Sequence, residues 1–163
     1  MKKQYFPILL ILLTVFLNSC GPSKQDAINW NDSIIDIENE VNTAVGKFTS
    51  AIDTDGADLN KELTTAIAVA DKGIAKMKAL EDFKDGAEFK SSGVEFLTLY
   101  LSIMKNEYKE IADLISNPNS SEADFEKVKE HAVNSDNKIE AANKKFISAQ
   151  KDFAKKWGFE LEK

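Results

Sequence analysis

Cys20 is the only cysteine in the chain, and it stands in the run Leu17-Asn18-Ser19-Cys20-Gly21. A lone thiol leaves no internal disulfide, no zinc site of several cysteines and no haem held through Cys-x-x-Cys-His. A thioether to a lipid needs only one. His131, the only histidine, is the other residue type suited to chemistry near neutral pH. Its helical phase sets it one residue before the core position Ala132, at the edge of an apolar stripe, so it reads as a solvated or boundary residue. No nucleophile and supported base can be grouped around it as a triad. One histidine also cannot supply the two Glu-x-x-His pairs of a ferritin-like di-metal bundle. Asp53, Asp55 and Asp58 around Gly56 offer the oxygens calcium prefers, but the glycine falls at the wrong place for an EF-hand loop and no glutamate closes it. A helix connector of Asp and Gly accounts for the same residues. The sequence therefore predicts no catalytic residue, no metal and no cofactor.

The residues before Cys20 say how that thiol is used. Lys2 and Lys3 make a basic start, and Tyr5 to Leu17 form a nearly unbroken apolar run. That run is shorter than the ~20 residues a membrane-spanning helix needs, and it matches the apolar region of a secretory signal. With Leu17 three before the cysteine and Ser19 just before it, the segment resembles a bacterial lipobox, Asn18 being the departure from the usual small or aliphatic residue. The resemblance implies a signal peptide over 1–19, cleavage before Cys20 and acyl chains on that residue. At about 0.8 kcal/mol per buried methylene, several chains anchor stably where one does not.

Charge narrows the partners. All 21 basic residues are lysine, and with Lys2 and Lys3 removed 19 lysines face 27 carboxylates, a net charge of −8. Such a chain repels phosphate backbones, and without arginine it lacks the bidentate fork that reads phosphate and guanine. The sequence predicts no nucleic-acid partner.

These residues need elements to carry them, and the apolar spacing supplies helices. Residues 20–25 read as the lipidated cysteine and a short tether, with Ser23 and Asp26 forming a capping box, and 26–163 as one domain. Trp30, Ile34, Ile37, Val41, Ala44, Phe48 and Ile52 make one stripe, and Leu59 to Leu80 a second. After a break at Phe83-Lys84-Asp85-Gly86, with an irregular turn up to Gly93, a third stripe runs from Leu97 to Ile115. Asn117-Pro118 stops it, Ser121 and Asp124 cap a fourth helix, and Gly158 ends that helix so that Phe159 and Leu161 can fold back. The fold expected is all-α, an up-down-up-down four-helix bundle, with a three-helix arrangement as its rival.

The third helix is the greasiest. Phe96, Leu99, Tyr100 and Ile103 widen its apolar face, so it contacts either two neighbours or something outside the bundle. The second possibility makes these four a partner surface. Ala66, Ala70 and Ala75, small residues facing the third helix, suggest instead a small apolar or lipid ligand held between helices. Asp32-Ser33-Ile34 resembles the three-residue O-glycosylation site of Bacteroidota.

With the lipobox, Trp30-Asn31-Asp32-Ser33-Ile34-Ile35 and Phe153-Ala154-Lys155-Lys156-Trp157-Gly158-Phe159 resemble the ends of small helical lipoproteins of unknown function from Bacteroidota and spirochaetes. The resemblance brings no catalytic residues. It implies an outer-membrane lipoprotein held through Cys20. Gly21 stands where lipoproteins held at the inner membrane carry Asp, and the absence of an acidic surface-export run directly behind the cysteine points to the periplasmic face. The function expected is a non-enzymatic interaction or structural module of the envelope, with an envelope protein as partner and the apolar-ligand binder as the alternative.

Overall fold

Three residues past Cys20, Ser23 opens the first helix. Its hydroxyl accepts the Asp26 N–H while the Asp26 carboxylate accepts the Ser23 N–H at 2.8 Å, a reciprocal cap. The structure, a computed structural model, describes residues 21–161, so Cys20 and the signal segment lie outside the described residues. Helix α1 spans Lys24–Ile52, α2 Leu59–Ala79, α3 Ala87–Lys105, α4 Glu107–Ser116 and α5 Glu122–Trp157. The first helix starts two residues before the expected domain boundary, because Asp26 is its third residue and not its first.

The chain is an all-α, up-down-up-down four-helix bundle in which α3 and α4 share the third place. Both pack on α2 and on α5, while α1 lies chiefly on α2 and touches α3 and α5 more sparingly. The break between α3 and α4 was not foreseen from the periodicity. It falls at Asn106, at φ −113° and ψ −82°, whose side-chain amide donates to the Ser102 carbonyl at 2.8 Å. The Ser102 carbonyl accepts that amide as well as the Asn106 backbone N–H, at 3.1 Å.

Gly93 was expected in a turn, yet it lies inside α3. A Cβ there would sit 2.6 Å from the Met77 sulfur and 3.2 Å from the Phe146 ring. The glycine thus marks where α2 and α5 press against α3. At the far end of α5, Gly158 takes the left-handed conformation at φ 68°, and the Phe159 N–H donates to the Ala154 carbonyl at 3.1 Å. The tail folds back as expected, with the Phe159 ring 6.0 Å from that of Phe153.

An aromatic hub closes the end of the bundle where the chain enters. The rings of Phe83, Phe89 and Phe153 surround Trp30 at 5.5, 6.0 and 5.1 Å. The Trp30 indole N–H donates to the Glu81 carbonyl at 2.9 Å, and the Trp157 indole N–H to the Lys84 carbonyl at 3.2 Å. One short connector is thereby tied to the first helix and the last. Replacing Trp30 by Ala is expected to cost about 3–5 kcal/mol, read from the urea midpoint. A loss under about 1 kcal/mol, the size of an average substitution, would show that the hub does not depend on it.

The caps make an acid-sensitive contribution. The Ser121 N–H, then the Ser121 hydroxyl and Lys127, hold the Asp124 carboxyl at about 2, below its ordinary 3.8. A carboxyl depressed by folding adds stability above its unfolded value and loses it as pH falls through the folded one. Between pH 4 and 2, Asp124→Asn should therefore lose less stability than the parent chain. Parallel urea-midpoint profiles would contradict this account of the cap.

Candidate functional site

The four residues expected to form a partner surface are spent inside the bundle. Phe96 and Ile103 are 3% and 1% exposed, and Leu99 and Tyr100 are half-buried against the core. Phe96 stacks on Phe146 of α5 at 5.6 Å, with Tyr100 edge-on at 5.1 Å. The wide face of α3 serves two neighbours, α2 and α5, so the partner-surface expectation is corrected. Burial, then Glu38 and Asp136, pushes the Tyr100 phenol up. Burial first, then Tyr100, Asp136 and Glu107, pushes the Tyr108 phenol up to about 12. Both are neutral hydroxyls at physiological pH.

The small residues of α2 also serve packing. Ala66 and Ala70 are wholly buried, and Ala75 is exposed. Ala66 and Ala70 bring the second helix into close contact with its neighbours. Ser33 donates its hydroxyl to the Asn29 carbonyl at 2.9 Å in mid-helix. Asp58 caps α2 by accepting the Lys61 N–H at 3.0 Å, which is the connector role read for the acidic turn.

His131 has a partner that its helical phase could not reveal. Its Nε2 lies 2.9 Å from a Glu110 carboxylate oxygen on α4, and Lys138 pairs with Glu107 one turn away. Asn106 and Asn134 complete a polar cleft of about 330 Å³ at the α3–α4 break. The Ser135 hydroxyl on the neighbouring core stripe is buried without a hydrogen-bond partner. These contacts fasten α4 to α5.

The more enclosed space lies between α1, α5 and the tail. Asn31 is 6% exposed, and its side-chain carbonyl accepts the Gln150 amide N–H at 3.0 Å while its own amide donates to Asp32 at 3.0 Å. This amide pair sets the register between the first helix and the last. Where apolar residues would have zipped the helices together, a groove of about 770 Å³ runs past it. Its walls are Ile28 and Ile35 from α1, Ile147 from α5, and Phe159 and Leu161 from the tail. Ile147 is 36% exposed, one of few large apolar side chains so open. Asp32, Lys151 and Glu160 stand among the lining residues. Such a volume is within the ~300–1,000 Å³ of small-molecule sites.

Among the described residues no helix is long and apolar enough to cross a membrane. Compared with protein-family models, curated proteins and solved structures, the chain matches none of them.

A double-mutant cycle with His131→Ala and Glu110→Gln tests what the polar cleft is for. Glu110 is 64% exposed, so the coupling is expected to stay below about 1 kcal/mol. A coupling of about 2 kcal/mol or more would mark a desolvated pair and reopen the cleft as a site.

Proposed function

We propose that the chain is a lipid-anchored, non-enzymatic module of the bacterial envelope, held through Cys20 and facing the periplasm from the outer membrane. The reading rests on the lipobox resemblance and on one structural observation. The Ser23 cap begins the bundle only three residues beyond Cys20, a tether of at most about 10 Å. A bundle started that close to its anchor stands on the bilayer with its first turn, its connector at Phe83 and its tail nearest the lipid. Surfaces displayed at a membrane, with polar groups committed to caps and inter-helix ties, suit binding an envelope protein better than chemistry.

A second reading, binding of a small apolar or lipid ligand between helices, is favoured by the groove beside the Asn31–Gln150 pair. Its apolar walls and half-exposed Ile147 leave surface that the bundle has not buried.

Mass spectrometry of membrane-extracted protein beside Cys20→Ala tests the anchor. The expected outcome is an acyl-glyceryl mass on a chain beginning at Cys20, lost in the variant. An unmodified chain beginning elsewhere would overturn it.

A further inference from the structure

The groove between α1, α5 and the tail has the dimensions and rim of a site for one amphiphile. Ile28 and Ile35 lie two turns apart on α1, giving a trough about 10 Å long at 1.5 Å per residue. The register fixed by Asn31 and Gln150 sets Ile147 opposite the Ile35 end, and the folded-back Phe159 and Leu161 form the third wall. A flexible aliphatic chain fills such a groove by folding back on itself, whereas a second helix would need a longer apolar seam.

The rim specifies the head. Lys151 makes no ion pair among the described residues, in contrast to Lys144 and Lys145 two turns earlier on the same helix. Asp32 and Glu160 also line the groove. A fatty-acid carboxylate would meet Lys151 but face two carboxylates. A zwitterion satisfies both signs, its phosphate on Lys151 and its ammonium toward Asp32 and Glu160. The groove also lies at the end of the bundle that receives the chain from Cys20, beside the lipid surface on the reading above.

We infer that this groove binds a single-chain zwitterionic phospholipid drawn from the adjoining membrane. The inference deepens the ligand-binding reading; binding in the groove does not depend on what Cys20 carries, whereas the adjoining membrane as the source of the lipid rests on the anchor proposed above.

The test titrates palmitoyl lysophosphatidylethanolamine, below its micelle threshold, into the full chain and into its Cys20→Ala variant, with palmitate titrated in parallel. One-to-one binding is expected in both, tighter for the lysophospholipid than for palmitate. Ile147→Asp and Lys151→Glu should each weaken it about tenfold or more. Ile147 is open enough to be changed without unfolding the bundle, which far-ultraviolet circular dichroism checks. Binding indifferent to Ile147→Asp would place the lipid elsewhere and overturn the proposal. Palmitate binding as tightly, with the same dependence on Ile147, would overturn the zwitterionic head while leaving an apolar-ligand site. Binding by Cys20→Ala alone would show the groove already filled by the protein's own acyl chain, and overturn the free-lipid occupant. Binding of neither probe would remove both the proposal and the ligand-binding reading, whereas the anchor is decided separately by the mass at Cys20.

Discussion

Everything at the entry end of the bundle is organised by the hydrogen bond from the Trp30 indole to the Glu81 carbonyl. An indole buried in an aromatic core must find an acceptor for its N–H, since an unsatisfied buried donor costs about 1–3 kcal/mol. The acceptor it finds is the Glu81 carbonyl of the α2–α3 connector, which crosses over the start of α1. Gly86 pays the steric condition for that crossing. A Cβ there would lie 2.6 Å from the Trp30 ring, and no larger residue could sit under it. Trp157 repeats the arrangement from α5, bonding the Lys84 carbonyl, so that the first and last helices are fixed to each other through a loop belonging to neither.

That tie explains why the groove exists. With α1 and α5 joined at the hub, their separation farther along is set by what lies between them, and there the chain has placed Asn31 and Gln150. Two amides bonded to each other hold a distance and a register, but they cannot exclude water as interdigitated leucines do. Ile28, Ile35 and Ile147 consequently stay partly open beside a part-buried polar pair. Farther on still, α5 rests mainly on α4 and α3, and α1 reaches that layer through the stack of Phe48 on Tyr108 at 5.3 Å. The seam between the first and last helices is closed by rings at the hub, where Trp30 meets Phe153, and is open past the Asn31–Gln150 pair.

The first and last helices are legible because their ends are written redundantly. Ser23 with Asp26, Ser121 with Asp124, and Gly158 are local chemical signals whose geometry does not depend on the rest of the chain, and the structure uses all of them. The apolar stripe of α1 was also readable, since a period of 3.6 survives whatever it packs against. What failed was each step that needed to know a partner. Gly93 resembled a turn because sequence shows a missing side chain but not the Met77 sulfur that requires it to be missing. Phe96 and Ile103 looked like surplus apolar area because periodicity counts residues on a face and cannot count neighbours. His131 and Glu110 are 21 residues apart on different helices, so nothing local links them. Nothing local links Asn31 to Gln150 either, although a polar residue beside Trp30 next to an apolar stripe is a visible irregularity.

Magnitudes decide which of these contacts the fold can spare. Most ion pairs join exposed side chains, such as Lys76 with Glu40 or Lys145 with Glu95, and contribute about 0.2–1 kcal/mol each at best. A single buried aromatic of the hub outweighs several of them, at about 3–5 kcal/mol on truncation. The charged surface is therefore free to change with little effect on the fold. The aromatic end near the tether is not, because its rings, its connector carbonyls and Gly86 constrain one another. Stability is concentrated where the chain enters, and the groove lies at the margin of that rigid block. A site on such a margin has one side preorganised by the hub and another, the short tail beyond Gly158, able to adjust to what it meets.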